Sequence, residues 1–280
     1  MLSSDSQKRT DRLRKGMPSN EDLRLFPSAD RVFYEKAPLA EVVVQLKFPP
    51  ILAIQVDPPA AFQELVRGAF PLLEEASSLA QMPIPVELRQ LIVAQSGGTT
   101  FQFLTEDRKN IITLAKDSLT YSTTKYSMWE DFKKQCFVAL DALEEIYRPS
   151  FYNRIGLRYI DAIDRAAVNK GGVSWSKLLK PHILGELACP NVESNIELAA
   201  RQIRVGLPSG QGSLLLQHGF SGQIGENNRK YIIDFDFFRE TKTEIDNAEN
   251  ILESFHSLAG SAFRWCISDE LHNALGPKSM

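Results

Sequence analysis

The chain has 280 residues, 43% of them hydrophobic and 24% charged, with a formal net charge of −3. These proportions are ordinary for a globular protein, and the length suits one large domain or two small halves sharing a core. No apolar run approaches the roughly 20 residues of a membrane span, no apolar segment follows the basic N-terminal residues as a secretory signal requires, and the slightly acidic balance weighs against nucleic acid as a partner while leaving it open.

Residues 1–31 read as a disordered tail, rich in Ser, Asp, Lys and Arg and interrupted by Gly16, Pro18 and Pro27. Its cluster Lys8, Arg9, Arg12, Arg14 and Lys15 is either a solvated extension or an arm for an acidic partner or RNA. From 39 to 48 the apolar residues Ala40, Val42, Val44, Leu46 and Phe48 alternate with polar ones, the period of a half-buried strand. Pro58 and Pro59 then open a helix whose stripe runs Phe62, Leu65, Val66, Ala69, Phe70 and Leu73, with Pro71 kinking or shortening it.

Four strands follow, at 90–96, 99–106, 110–116 and 118–125, the first two joined by a Gly97-Gly98 hairpin. A helix over 128–147 carries Trp129, Phe132, Cys136, Leu140, Leu143 and Tyr147 on one face. The series then restarts: a strand over 151–163, a helix over 174–184 with Ser174 as N-cap, and strands at 195–207, 213–220 and 229–239. A last helix begins near Thr243 and carries Leu252, Phe255, Ala259, Ala262 and Cys266 on its stripe. Two halves, 32–149 and 150–280, therefore repeat one pattern of elements, β-α-β(3–4)-α. The fold class expected is α+β: one extended, curved antiparallel sheet with its helices on one face, an element order resembling that of the TATA-binding-protein fold.

The chemistry-bearing residues are few. Asp234 and Asp236, two apart on a strand, share one face, about 6.5–7 Å apart at Cα; they could hold a divalent ion or belong to a solvated polar face. Arg154 and Arg158 share a face of their strand, with Asp161 on the other parity; their forked guanidinium groups suit a carboxylate or phosphate ligand, or pairing with Asp234 and Asp236 across strands. His256 lies beside the stripe of the last helix, in a packed or ligand-contacting position. The four histidines have no metal-binding spacing, and no nucleophile elbow, phosphate loop or dinucleotide fingerprint occurs, so no catalytic set can be named. Cys136, Cys189 and Cys266 lie far apart and read as free thiols of a cytoplasmic protein.

Four segments carry a resemblance: 38–51, the run Arg154-Ile-Gly-Leu-Arg-Tyr-Ile160, the run Ile232-Ile-Asp-Phe-Asp236, and 263–271. Together they resemble a sporadically distributed prokaryotic family of similar length and unknown function, over 34–275. The Arg-x-Gly-Leu-Arg-Tyr-Ile run is its most specific part, and Asp161 stands where Asn is the more usual next residue. The family's scattered occurrence implies an accessory gene, such as one in a defence or toxin–antitoxin locus. The expectation is a non-enzymatic binding or interaction protein that uses the open face or an edge of its sheet toward a protein partner or small polar ligand, with no cofactor, metal site or membrane contact. Arg154, Arg158, Asp161, Asp234, Asp236 and His256 are the candidate ligand contacts. The alternative is a metal-assisted nuclease or phosphoryl hydrolase using Asp234 and Asp236.

Overall fold

A computed structural model describes residues 25–75, 100–193, 195–221 and 229–279. Among them β1 (Val32–Tyr34) pairs with the far end of the chain, β11 (Pro277–Ser279), and nine strands form a single antiparallel sheet. In chain order these are β2 (Leu39–Lys47), β3 (Leu72–Glu75), β4 (Phe101–Leu104), β5 (Asn110–Ala115), β6 (Ser118–Thr123), β7 (Arg154–Ile163), β8 (Ala200–Gly206), β9 (Ser213–Phe220) and β10 (Tyr231–Arg239). Across the sheet the order is β3-β4-β5-β6-β2-β7-β10-β9-β8. The opening strands of the two halves, β2 and β7, are thus neighbours at the seam, and from each the later strands run outward in reverse chain order. The α+β class and the large antiparallel sheet agree with the sequence.

Period-two patterning decides which face is buried. In register, Val42 lies opposite Tyr159, Val44 opposite Leu157 and Leu46 opposite Ile155. Phe235 continues the row from Tyr159 on β10 and Tyr121 continues it from Val44 on β6. All of these are buried. Two long helices close over that face, α3 (Trp129–Tyr147) and α7 (Ala248–Cys266). They bury Phe132, Cys136, Leu140 and Leu143 from one, and Leu252, Phe255, Ala262 and Cys266 from the other. Two shorter helices, α1 (Ala53–Val56) and α2 (Ala60–Val66), lie between β2 and β3.

Several boundaries differ from the sequence reading, each for a local reason. The helix expected to run toward Leu73 ends at Val66, ahead of Gly68 and Pro71, and Leu72–Glu75 is strand β3. Leu65 and Leu73 fit the helical stripe by spacing, yet both are exposed. The helix expected over 174–184 is two turns, α4 (Trp175–Leu178) and α5 (Pro181–Leu184), and one more turn, α6 (Pro190–Glu193), follows. Pro181 can only start a helix, and the Leu179 backbone between the turns bridges to Ile267. The Ser174 hydroxyl does accept from the Ser176 N–H at 3.3 Å, as an N-cap. Of the expected tail, residues 25–31 lie on the body: Phe26 is buried and meets the Trp265 ring at 5.4 Å. Residues 1–24, the strand expected at 90–96 and the Gly97-Gly98 hairpin lie outside the described residues. A last short helix, α8 (Asp269–Ala274), and the β1–β11 pair had no sequence counterpart. No helix is long and apolar enough to cross a membrane among the described residues.

Candidate functional site

The six candidate residues fall into two groups on opposite faces of the sheet. Arg154, Arg158, Asp234 and Asp236 lie on the face away from α3 and α7, and there they meet one another. Arg158 donates from Nε to Asp234 Oδ1 at 2.7 Å and from Nη2 to Oδ2 at 2.5 Å. Arg154 Nη2 donates to both oxygens of Asp236, at 3.0 and 2.8 Å, while its Nη1 donates to Gln45 Oε1 at 3.0 Å. The register sets Arg158 directly opposite Asp236, so the Arg158–Asp234 pair is a diagonal contact two residues off register and the Arg154–Asp236 pair is four residues off. Gly156 makes the geometry possible, because a Cβ there would collide with the Arg154 guanidinium. Burial is the largest influence on Asp234 and lifts its carboxyl above the usual range, with Arg158 opposing the rise. Glu41, also buried on this face, is lifted by burial too, against a hydrogen bond with Ser122. The charges here are spent within the sheet.

Asp161 lies on the other face, beneath α7, His256 projects from α7, and both line a cavity of about 1260 Å³. Its walls are the segment 27–39, the start of α3, the middle of β7 and β10, and α7. The volume exceeds the ~300–1,000 Å³ common for small-molecule sites. Alternation places Asp161 on the parity of Tyr159 and Ile163, so its side chain points to the helix-covered side, between Leu39 of β2 and Ile233 of β10.

Asp161 is 6% exposed and has no hydrogen-bond or ion-pair partner among the described residues. Burial first, and the Asp234 charge second, raise its carboxyl to about 8. Above it Tyr159 Oη stands 2.9 Å from His256 Nδ1, and the His256 ring stacks on Trp129 at 4.4 Å with an interplanar angle of 7°. Burial, aided by the Arg31 charge, holds His256 down at about 4, so it is neutral at pH 7. Trp129 in turn donates from Nε1 to Glu253 at 2.8 Å. On the opposite wall Tyr34 Oη lies 2.7 Å from His272 Nδ1, and the Tyr34 ring meets Phe263 edge-on at 5.8 Å.

The arrangement is therefore a half-open chamber with aromatic walls and one buried carboxyl that has no counter-charge among the described residues. Helix α7 presents His256, Gly260, Phe263 and Arg264 to it at helical spacing, and a Cβ built on Gly260 would meet nothing within 4 Å. The sequence reading named Asp161 and His256 but missed Tyr34, Trp129, Phe263 and Gly260. For Gly260 a signal existed: glycine inside a helix costs stability and asks for a reason. A smaller cleft of about 610 Å³ beside α3 has two of its three acids occupied, Asp107 by Thr105 and Lys125 and Asp131 by Ser127, and the third, Glu106, is exposed. No group of three or more His, Cys, Asp or Glu converges as a metal site among the described residues. No protein-family model matches this chain, and no curated protein matches it.

Proposed function

We propose that this chain is a non-enzymatic binding protein that takes a small, largely apolar ligand into the chamber between β7, α7 and the segment 27–39. One observation carries the reading: a large cavity whose lining includes a buried carboxyl with no hydrogen-bond or ion-pair partner among the described residues. Buried polar groups in folded proteins are as a rule paired, and an orphan facing a cavity marks a place where a partner arrives from outside. Aromatic and aliphatic walls supply the apolar contact, and Tyr159, His256 and Tyr34 supply oriented polar edges. A setting in the cytoplasm, as an accessory component of a defence or toxin–antitoxin locus, suits a ligand-receiving module of this kind. The alternative, a metal-assisted hydrolase on Asp234 and Asp236, has less support, since those carboxylates already accept from Arg158 and Arg154.

Gly260 gives the test. Gly260→Phe places a ring in open space at the chamber mouth, so the fold is retained while the ligand is shut out. The neutral fluorophore N-phenyl-1-naphthylamine is expected to bind the wild-type chain one to one, quenching Trp129 and Trp265, which both line the chamber. Binding to Gly260→Phe should weaken by tenfold or more with an unchanged thermal transition. Equal binding by both proteins would remove the chamber as the site.

A further inference from the structure

The chamber's electrostatics are more specific than its shape. Three positive side chains occur in its lining, and none acts on Asp161. Arg31 is paired with Glu130 at 2.8 Å, Arg264 is paired with Asp269, and the Lys180 charge falls on Asp269 and His182. The three lining histidines, His182, His256 and His272, are each lowered, chiefly by burial, and so bring no charge at neutral pH. Asp161 shares its side of the sheet with Tyr34 from β1, Cys266 from α7 and Tyr159 on its own strand, and feels the Asp234 charge from the other face; none of these is a cation.

We infer that the chamber selects a ligand bearing a protonated nitrogen, an ammonium or guanidinium group, and seats that group on the Asp161 carboxylate with an aromatic or aliphatic body along the walls. This rests on the chamber being a binding site and adds the class of occupant. A buried acid is tolerated as an anion only beside a cation, and the described residues bring no cation to this one. The aromatic residues Tyr34 and Tyr159 line the same space, and aromatic rings favour an organic cation over a neutral group of equal size. A neutral or anionic headgroup would leave Asp161 as it stands now. Because a free Asp161 with a carboxyl near 8 holds its proton at pH 6, the cation must displace that proton on binding, and affinity climbs with pH.

The experiment compares three probes that share one aromatic body: 1-naphthylmethylammonium, 1-naphthalenemethanol and 1-naphthaleneacetate, titrated calorimetrically against the whole chain. The ammonium is expected to bind wild type at least tenfold more tightly than the alcohol at pH 8. Its affinity should rise up to tenfold per pH unit from 6 to 8, while that of the alcohol stays level. Asp161→Asn should erase the preference and keep the alcohol's affinity. The wild-type pH profile stands as an independent measurement should that variant fold poorly. An alcohol that binds as well as the ammonium, or an acetate that binds better, overturns the cation and leaves the chamber standing. Failure of all three probes on wild type, together with indifference of the fluorophore to Gly260→Phe, overturns the chamber itself.

Discussion

Among the buried carboxyl groups of the described residues, Glu41 has Ser122, Asp234 has Arg158, and Asp161 has nothing. That difference has a thermodynamic signature. A carboxyl raised from its ordinary value of 3.8 to about 8 holds its proton in the folded chain and loses it in the unfolded one throughout that window. Folding stability is then greatest at the acid end and falls as pH climbs toward 8, by up to about 1.4 kcal/mol per unit. His218 and His256, both held near 4 chiefly by burial, act in the opposite sense, and their effect dies away between about pH 6.5 and 7.5, as the unfolded histidines lose their protons. Asp161→Asn keeps both histidines, so the difference between it and wild type isolates the Asp161 slope. Measured against Asp161→Asn, wild-type stability from urea unfolding should drop by about 1–2 kcal/mol between about pH 6.5 and 8. Parallel curves would mean that the carboxyl is ionised and compensated. The parity that turns Asp161 away from Arg154 and Arg158 was legible in the sequence. Its isolation was not, because the neighbours Leu39 and Ile233 arrive from strands more than 70 residues away on either side, and only register brings them.

For single elements, alternation proved a firmer guide than helical spacing. The strand periods of β2, β7, β9 and β10 stand out because a one-residue slip would turn every apolar side chain to the wrong face. Leu65, Ala69, Phe70 and Leu73 satisfied a helical period by coincidence, and the chain leaves the helix where Gly68 and Pro71 make continuation costly. Strand β7 also explains its own unusual residue. Gly156 is buried mid-strand, where glycine forfeits packing, and in return the Arg154 guanidinium crosses the vacant position to reach Asp236, Gln45 and the Phe238 ring. Gly156→Ala should displace that guanidinium and cost about 2 kcal/mol, the order expected when a largely desolvated ion pair is broken. In an Arg154→Met background the same change should cost less, leaving a coupling of about 1 kcal/mol in a double-mutant cycle. Additive losses would show that the backbone, and not the arginine, requires glycine at this place.

In the whole molecule, the large antiparallel sheet with its helices was legible, but the chamber was not. A cavity is what packing leaves over, and no periodicity encodes it; the segment 27–39 that walls it also includes positions assigned to a tail. The seam itself holds a further consequence. Strand β2 is flanked by β6 from its own half and β7 from the other, and the row Val42, Val44 and Leu46 is sealed by Tyr159, Leu157 and Ile155. Above the sheet, Lys133 on α3 reaches Glu249 at 2.6 Å and Glu253 at 2.7 Å on α7, and Trp129 binds the same Glu253. One hydrophobic cluster runs through both halves. A half cut free at residue 149 would leave β2 as a long edge strand with unpaired backbone groups and the exposed apolar margin of a core. Neither half should fold alone, and the whole chain should unfold in a single step. The three tryptophans make this measurable, since Trp129 reports on the first half and Trp175 and Trp265 on the second. In urea, single-tryptophan variants and far-ultraviolet circular dichroism should give one shared midpoint. If Trp129 melted at a lower urea concentration than Trp175, the halves would be separable units, and a chamber that takes its walls from both could not survive as a site once the first of them opened.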